Sequence, residues 1–152
     1  MSTPRTWLVA YDFSEHSKLA LDRAREQLSA LGGGRLVLAH IHAPASDGGG
    51  IDLGAIGPGF KDREAAICAA ALRNLTELAA ALPPVAQGPV VIEPRVVTGR
   101  IADRIVALGR EVGADQIIVG SHGRRGFELF LLGSVAERVL RLAEGPVLVV
   151  KR

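Results

Sequence analysis

Cysteine is almost absent from this sequence: Cys68 stands alone in an alanine-rich stretch. Neither a disulfide framework nor a cysteine metal site can be built within one chain from a single thiol, which points to a reducing compartment. Aromatic residues make up only 4% of the chain against 48% apolar residues, so a core must be assembled from Leu, Val, Ile and Ala, as in layered α/β folds. No apolar run approaches the roughly 18 residues that span a bilayer. The opening MSTPRTWLVAYD also lacks an apolar region followed by a small-residue cleavage site. The expected location is therefore the cytoplasm, without a membrane partner, and the formal sequon Asn74-Leu75-Thr76 has no role there. Blocks of Lys or Arg are missing too: the net charge of +2 and the pI near 9.1 arise from scattered charges, which argues against a nucleic-acid partner. Finally, no GxxxxGK[ST] loop occurs and no GxGxxG follows the first apolar run. Those two absences remove support for a P-loop kinase or a dinucleotide oxidoreductase.

What is present alternates strand and helix. Trp7–Tyr11 reads as a strand, and Leu21, Ala24, Leu28 and Leu31 recur at helical spacing before Gly32-Gly33-Gly34. Residues 35–41 are nearly all apolar, as in a strand covered on both faces. The stretch 44–60 is rich in glycine without apolar periodicity and reads as an exposed, mobile loop inside one domain spanning 1–152. A helix carrying Ile67, Ala71, Leu75, Leu78 and Leu82 follows, closed by Pro83-Pro84. Residues 90–97 form a third strand, and Pro94, which cannot donate to a ladder, pushes it to the sheet edge. Ile101, Ile105, Leu108 and Val112 mark the next helix, with Gly113 at a left-handed cap position. Residues 116–119 and 147–150 are the last strands, separated by a helix bearing Val135, Val139 and Leu142. This βαβαβαβαβ order predicts a parallel, doubly wound α/β sheet whose ligands bind at the carboxyl ends of strands 1 and 4.

The chemistry concentrates after strand 4. Gly120-Ser121-His122-Gly123 is followed by nine residues, Arg124 to Leu132, and then by Gly133-Ser134. Glycines let a backbone approach a polyphosphate closely, and a helix N-terminus presents free N–H groups to it. Ser134-Val135-Ala136-Glu137 has the form of a capping box that would start the last helix. Asp12 suits either a ligand pocket or an Asx turn with Ser14, and Ser14 suits a helix N-cap. One of Arg124 and Arg125 suits neutralising phosphate charge, against the alternative that both are ordinary exposed arginines. His40 and His42 alternate onto one side of a strand end, but no third ligand is spaced to make them a metal site. The apolar segment Phe127, Leu129–Leu132 suits either packing on the core or an assembly surface.

GSHGRRGFELFLLGSVAERVL followed by GPVLVVKR resembles the nucleotide-binding signature and closing strand of the universal stress protein family, in its ATP-binding branch. LVAYDFSEHS and TGRIADRIVALGREVGADQIIVGSHG are similar to the family's opening and to its third helix and fourth strand. The resemblance implies a five-stranded parallel sheet of Rossmann-like, adenine-nucleotide alpha-hydrolase-like topology, with strand order 3-2-1-4-5. It implies ATP as the ligand, with Mg or Mn as candidate accompanying ions. Ala10, Tyr11 and Asp12 would lie beside base and ribose, with Asp12 also a candidate for a phosphate-bound metal, and Ile41 would touch the adenine. Val119, Gly120, Ser121, His122, Gly123, Arg124, Arg125 and Gly126 would wrap ribose and phosphates, and Gly133, Ser134 and Val135 would hold the phosphates. It further implies a homodimer through strand 147–150, possible protein clients, and a nucleotide-dependent sensor with no assigned catalytic residue. The competing readings are a weak ATPase or autophosphorylating protein and a nucleotide-free interaction module.

Overall fold

The computed structural model describes residues 4–44, 59–123 and 132–151. The chain order is β1 (Arg5–Ala10), α1 (Glu15–Ala30), β2 (Gly34–His42), α2 (Phe60–Ala81), β3 (Val90–Thr98), α3 (Ile101–Glu111), β4 (Gln116–Gly120), α4 (Ser134–Leu142) and β5 (Val147–Val150). All four strand pairings are parallel, in the order β3-β2-β1-β4-β5. After β3 the chain crosses over β2 and β1 to add β4 on the other side, so the direction of winding reverses between β1 and β4. A crevice opens at such a reversal because the two flanking connections leave in opposite directions.

Period-two alternation divides the strands between two cores. Trp7, Val9 and Tyr11 join Leu36, Leu38 and Ile118 against α1 and Leu75 of α2. Leu8, Val37, Ala39, Ile41, Ile117 and Val119 face α3 and α4. Burying both faces explains why the central strands are apolar at successive positions rather than alternating. Pro94 does sit on an edge strand, paired in register with Leu38. Glu93 bridges Arg35 at 3.6 Å and Arg95 at 2.5 Å, so this edge carries charge as well as proline, both of which discourage pairing with another chain.

Ser14 caps α1 as expected: its hydroxyl accepts the Ser17 N–H at 3.2 Å. Gly113, at φ +64, follows α3, and the Ala114 N–H donates to the Gly109 carbonyl at 2.8 Å, closing the left-handed stop. Several helical positions expected on a buried face are not there. Leu31 is 50% exposed because the helix has ended and the residue occupies the C-cap. Ile67 is 48% exposed: Ala71 and Leu75, farther along the 22-residue α2, are its buried positions. Ile101 and Leu142, each 37% exposed, lie at the first and last positions of α3 and α4, where a helix overhangs its contact with the sheet.

Candidate functional site

The carboxyl ends of β1 and β4 meet at the crevice, and the residues that follow them come together there. Asp12 closes an Asx turn, its Oδ1 accepting the Ser14 N–H at 3.0 Å. Its other oxygen, Oδ2, lies 2.8 Å from where a side chain on Gly123 would begin. The turn and the pocket are thus compatible roles, since one carboxylate oxygen fixes the loop and the other faces the glycine loop after β4. Ser121 is 2% exposed; its N–H donates to the Val150 carbonyl at 2.8 Å, and its hydroxyl lies 3.1 Å from His122 Nδ1. The His122 ring also sits 5.4 Å from that of His16 in the first turn of α1.

Each glycine has its own steric reason. A Cβ on Gly120 would stand 2.8–2.9 Å from the backbone and Cβ of His16, so this glycine lets α1 approach the end of β4. Gly123 leaves room for the Asp12 carboxylate. Gly133 donates its N–H to the Ser121 carbonyl at 2.7 Å and would place a Cβ 3.2 Å from that oxygen. The bond straps the start of α4 to the end of β4.

The expected capping box requires correction. Gly133, extended at φ −72 and ψ 155, is the N-cap; Ser134 is the first residue of the helix, and among the described residues no side chain caps α4. The strap to Ser121 brings the glycine backbone into the cap position, so the first helical bond runs from Glu137 N–H to the Gly133 carbonyl at 3.0 Å. Among the described residues the N–H groups of the first turn therefore have no side-chain cap, an arrangement that suits an anion.

Ala10, Ile41 and Val119 share the α3–α4 face of the sheet. Tyr11 does not join them: its backbone sits at the end of β1, its N–H donating to Ala39 at 2.8 Å, but its ring packs in the opposite core with Trp7 and Val9. His40 Nδ1 lies 2.9 Å from the Tyr11 carbonyl, and His42 Nε2 contacts Glu64 Oε2 at 2.5 Å. These two histidines anchor local structure, and among the described residues no group of three metal-ligating side chains occurs. Arg124, Arg125, Gly126 and the apolar segment through Leu131 lie outside the described residues. Leu132 packs, half-buried, on the core under α3 and α4.

Two features had no counterpart in the sequence reading. Phe13 adopts φ +64, a left-handed conformation that a bulky residue rarely takes. Arg104, in the second turn of α3, keeps a buried Nε without a hydrogen-bond partner, its stem running along Gly99. The only sequence signal for either was a glycine or a turn residue nearby.

Burial pushes the Tyr11 phenol above its ordinary value of 10.0, and the charges of Asp22, Asp12 and Glu15 add to the effect. The unfolded chain releases this proton first as pH rises, so the stabilisation is complete below pH 10 and is lost on going up through the folded value. Tyr11 is the only tyrosine. Ultraviolet titration of tyrosinate in the folded protein should give a midpoint above that of the protein in urea; coincident midpoints would contradict the burial of the phenol.

A family model described as the Universal stress protein family matches residues 4–151. Universal stress protein A homolog 1 of Coxiella burnetii is 30% identical over 145 residues, covering 94% of this chain and 93% of its own. Universal stress protein MJ0577 of Methanocaldococcus jannaschii is 46% identical over 57 residues, 38% of this chain and 35% of its own length. The matched segment of another protein from that organism, universal stress protein MJ0531, likewise spans 37% of it. The solved structure of MJ0577 superposes with a TM-score of 0.81 at 26% identity, covering 97% of this chain and 96% of that one. A universal stress protein solved in complex with cAMP matches with a TM-score of 0.62 at 31% identity, over 99% and 98% of the two chains. No helix among the described residues is long and apolar enough to cross a membrane. With the family model spanning residues 4–151 and the sheet order matching these structures, the chain belongs to the universal stress protein family.

Proposed function

We propose that this protein binds ATP in the crevice between β1 and β4 and acts as a nucleotide-dependent regulatory protein. The observation that carries the reading is the Gly133 strap, which holds the open N-terminus of α4 against the loop that leaves β4. Phosphate oxygens placed there would meet backbone N–H groups and the positive end of the helix dipole. Ala10, Ile41 and Val119 supply an apolar floor on the same side of the sheet, suited to a base. The relative solved with cAMP supports an adenine nucleotide as the ligand class. Asp12 is one carboxylate and cannot hold a divalent ion unaided, so Mg or Mn would arrive bound to the phosphates and take Asp12 as one more ligand.

Autophosphorylation on Ser121 is disfavoured because its hydroxyl is buried and lies 3.1 Å from His122 Nδ1. The protein would act in the cytoplasm as a dimer paired through the open edge of β5, with its nucleotide state read by client proteins. Calorimetric titration of ATP with Mg should give a dissociation constant of about 1–100 μM. Absence of binding at about 1 mM ATP would defeat the proposal.

A further inference from the structure

We infer that the cleft between the β1–α1 turn and α2 is a second ligand site, built for a small organic ammonium ion. The cleft lies against the α1–α2 core, on the opposite face of the sheet from Ala10 and Ile41. It is a broadly open depression of about 450 Å³ lined by Tyr11, Phe13, Asn74, Glu77, Leu78 and Ala81. That volume is within the range of small-molecule sites.

The cleft has a polar group in its wall. The Tyr11 side chain is 7% exposed and lines the cavity, yet its hydroxyl has no hydrogen-bond partner among the described residues. The hydroxyl is not sealed from solvent, so a ligand entering the cleft can reach it. The wall beside it is held in an unusual conformation. Phe13 takes left-handed backbone angles, meets Tyr11 edge to face at 5.2 Å, and still leaves its ring 40% exposed. The ring also packs on His40 at 5.2 Å, and backbone strain of this kind clusters at ligand clamps and other functional sites.

Charge selects the occupant. Glu77 contributes a carboxylate that pairs with no cation among the described residues, and no Lys or Arg lines the cleft. Asp22, Asp12 and Glu15 all act on the Tyr11 phenol in the same direction, each adding negative potential there. An anion is therefore disfavoured. A metal ion would find one carboxylate and no further acidic, cysteine or histidine ligand, which is too few. An ammonium head can instead sit against the aromatic rings, donate to the Glu77 carboxylate and the Tyr11 hydroxyl oxygen, and lay its hydrocarbon body along Leu78 and Ala81. The site does not depend on nucleotide binding, although Asp12, between Tyr11 and Phe13, faces the other crevice.

The test is a titration of the full-length, isotopically labelled protein with phenethylammonium, followed by amide NMR. Saturable shifts are expected at residues 11–13 and 74–81, and phenylacetate, with the same ring and opposite charge, should produce none. Glu77→Gln, an exposed position, should weaken phenethylammonium binding roughly tenfold while leaving ATP affinity unchanged. Phe13→Ala should weaken it to a similar degree. Equal shifts from the two probes, no saturation by about 10 mM, or full affinity in Glu77→Gln would each overturn the inference.

Discussion

Gly33→Ala is expected to destabilise the protein by about 2–5 kcal/mol. Gly33 has φ +93, and a Cβ there would lie 2.2 Å from the Pro89 carbonyl oxygen, 2.8 Å from Pro89 N and 3.0 Å from the Gly88 carbonyl carbon. All three are backbone atoms, which cannot swing aside as a side chain would. The contact joins the α1–β2 turn to the segment entering β3, fastened by the hydrogen bond from Gly34 N–H to the Pro89 carbonyl at 2.9 Å and from Gly88 N–H to Ser29 at 3.0 Å. Pushing these two chains apart also disturbs the start of the β2–β3 ladder, where Gly34 pairs with Val90. Gly113→Ala is the control, since Gly113 has φ +64 but no atom within 4 Å of the added Cβ. That change carries only the conformational penalty, about 1 kcal/mol. Urea denaturation of both variants separates strain from collision; equal losses would mean that the two segments are not in contact in solution.

The second large effect is on binding. Gly133→Val should lower ATP affinity by at least about 100-fold, or roughly 2.7 kcal/mol, with a much smaller change in stability. Gly133 has ordinary extended angles that valine adopts readily, so the backbone itself tolerates the change. What it does not tolerate is bulk: a Cβ would already be 3.2 Å from the Ser121 carbonyl and 3.3 Å from His122 Cα. The methyl groups of valine would drive the start of α4 away from the loop after β4 and lengthen the Gly133–Ser121 strap. A phosphate held from two sides would then be held from one. Gly145→Val, with open space around the position, should bind ATP as the unmutated protein does. Calorimetry on the three proteins decides it, and undiminished affinity in Gly133→Val would exclude the α4 N-terminus as the phosphate site.

The glycines after β4 also show how differently a motif and a structure inform. Their spacing in the chain suggested a single purpose, close approach to phosphate. In the fold, Gly120 is needed against His16 of α1, Gly123 against Asp12, and Gly133 against Ser121. Only the last two bear directly on the crevice. No linear pattern distinguishes these roles, because each depends on an atom that the topology brings from elsewhere in the chain.

Alternation, helix stops and proline were local signals, and they were sufficient for what depends on local geometry. Runs of apolar residues specify strands covered on both faces, a glycine beyond the last apolar turn specifies a left-handed stop, and Pro94 cannot donate within a central ladder. Element order, the edge position of β3, the Ser14 cap and the crevice at β1 and β4 were therefore legible from residue types alone. Which face a strand-end side chain takes was not. Tyr11, adjacent in sequence to Ala10 and Asp12, turns its ring into the α1–α2 core because successive residues of an extended chain point to opposite sides. The cap of α4 shifted from Ser134 to Gly133 because a hydrogen bond to Ser121, from another strand, outweighed the local preference for serine. The left-handed Phe13 was equally invisible in the sequence: its ring meets Tyr11, just beyond β1, and His40 of β2, contacts that only the fold brings about. Local stereochemistry determined the elements and their order, whereas contacts between distant segments decided which side chains share a pocket.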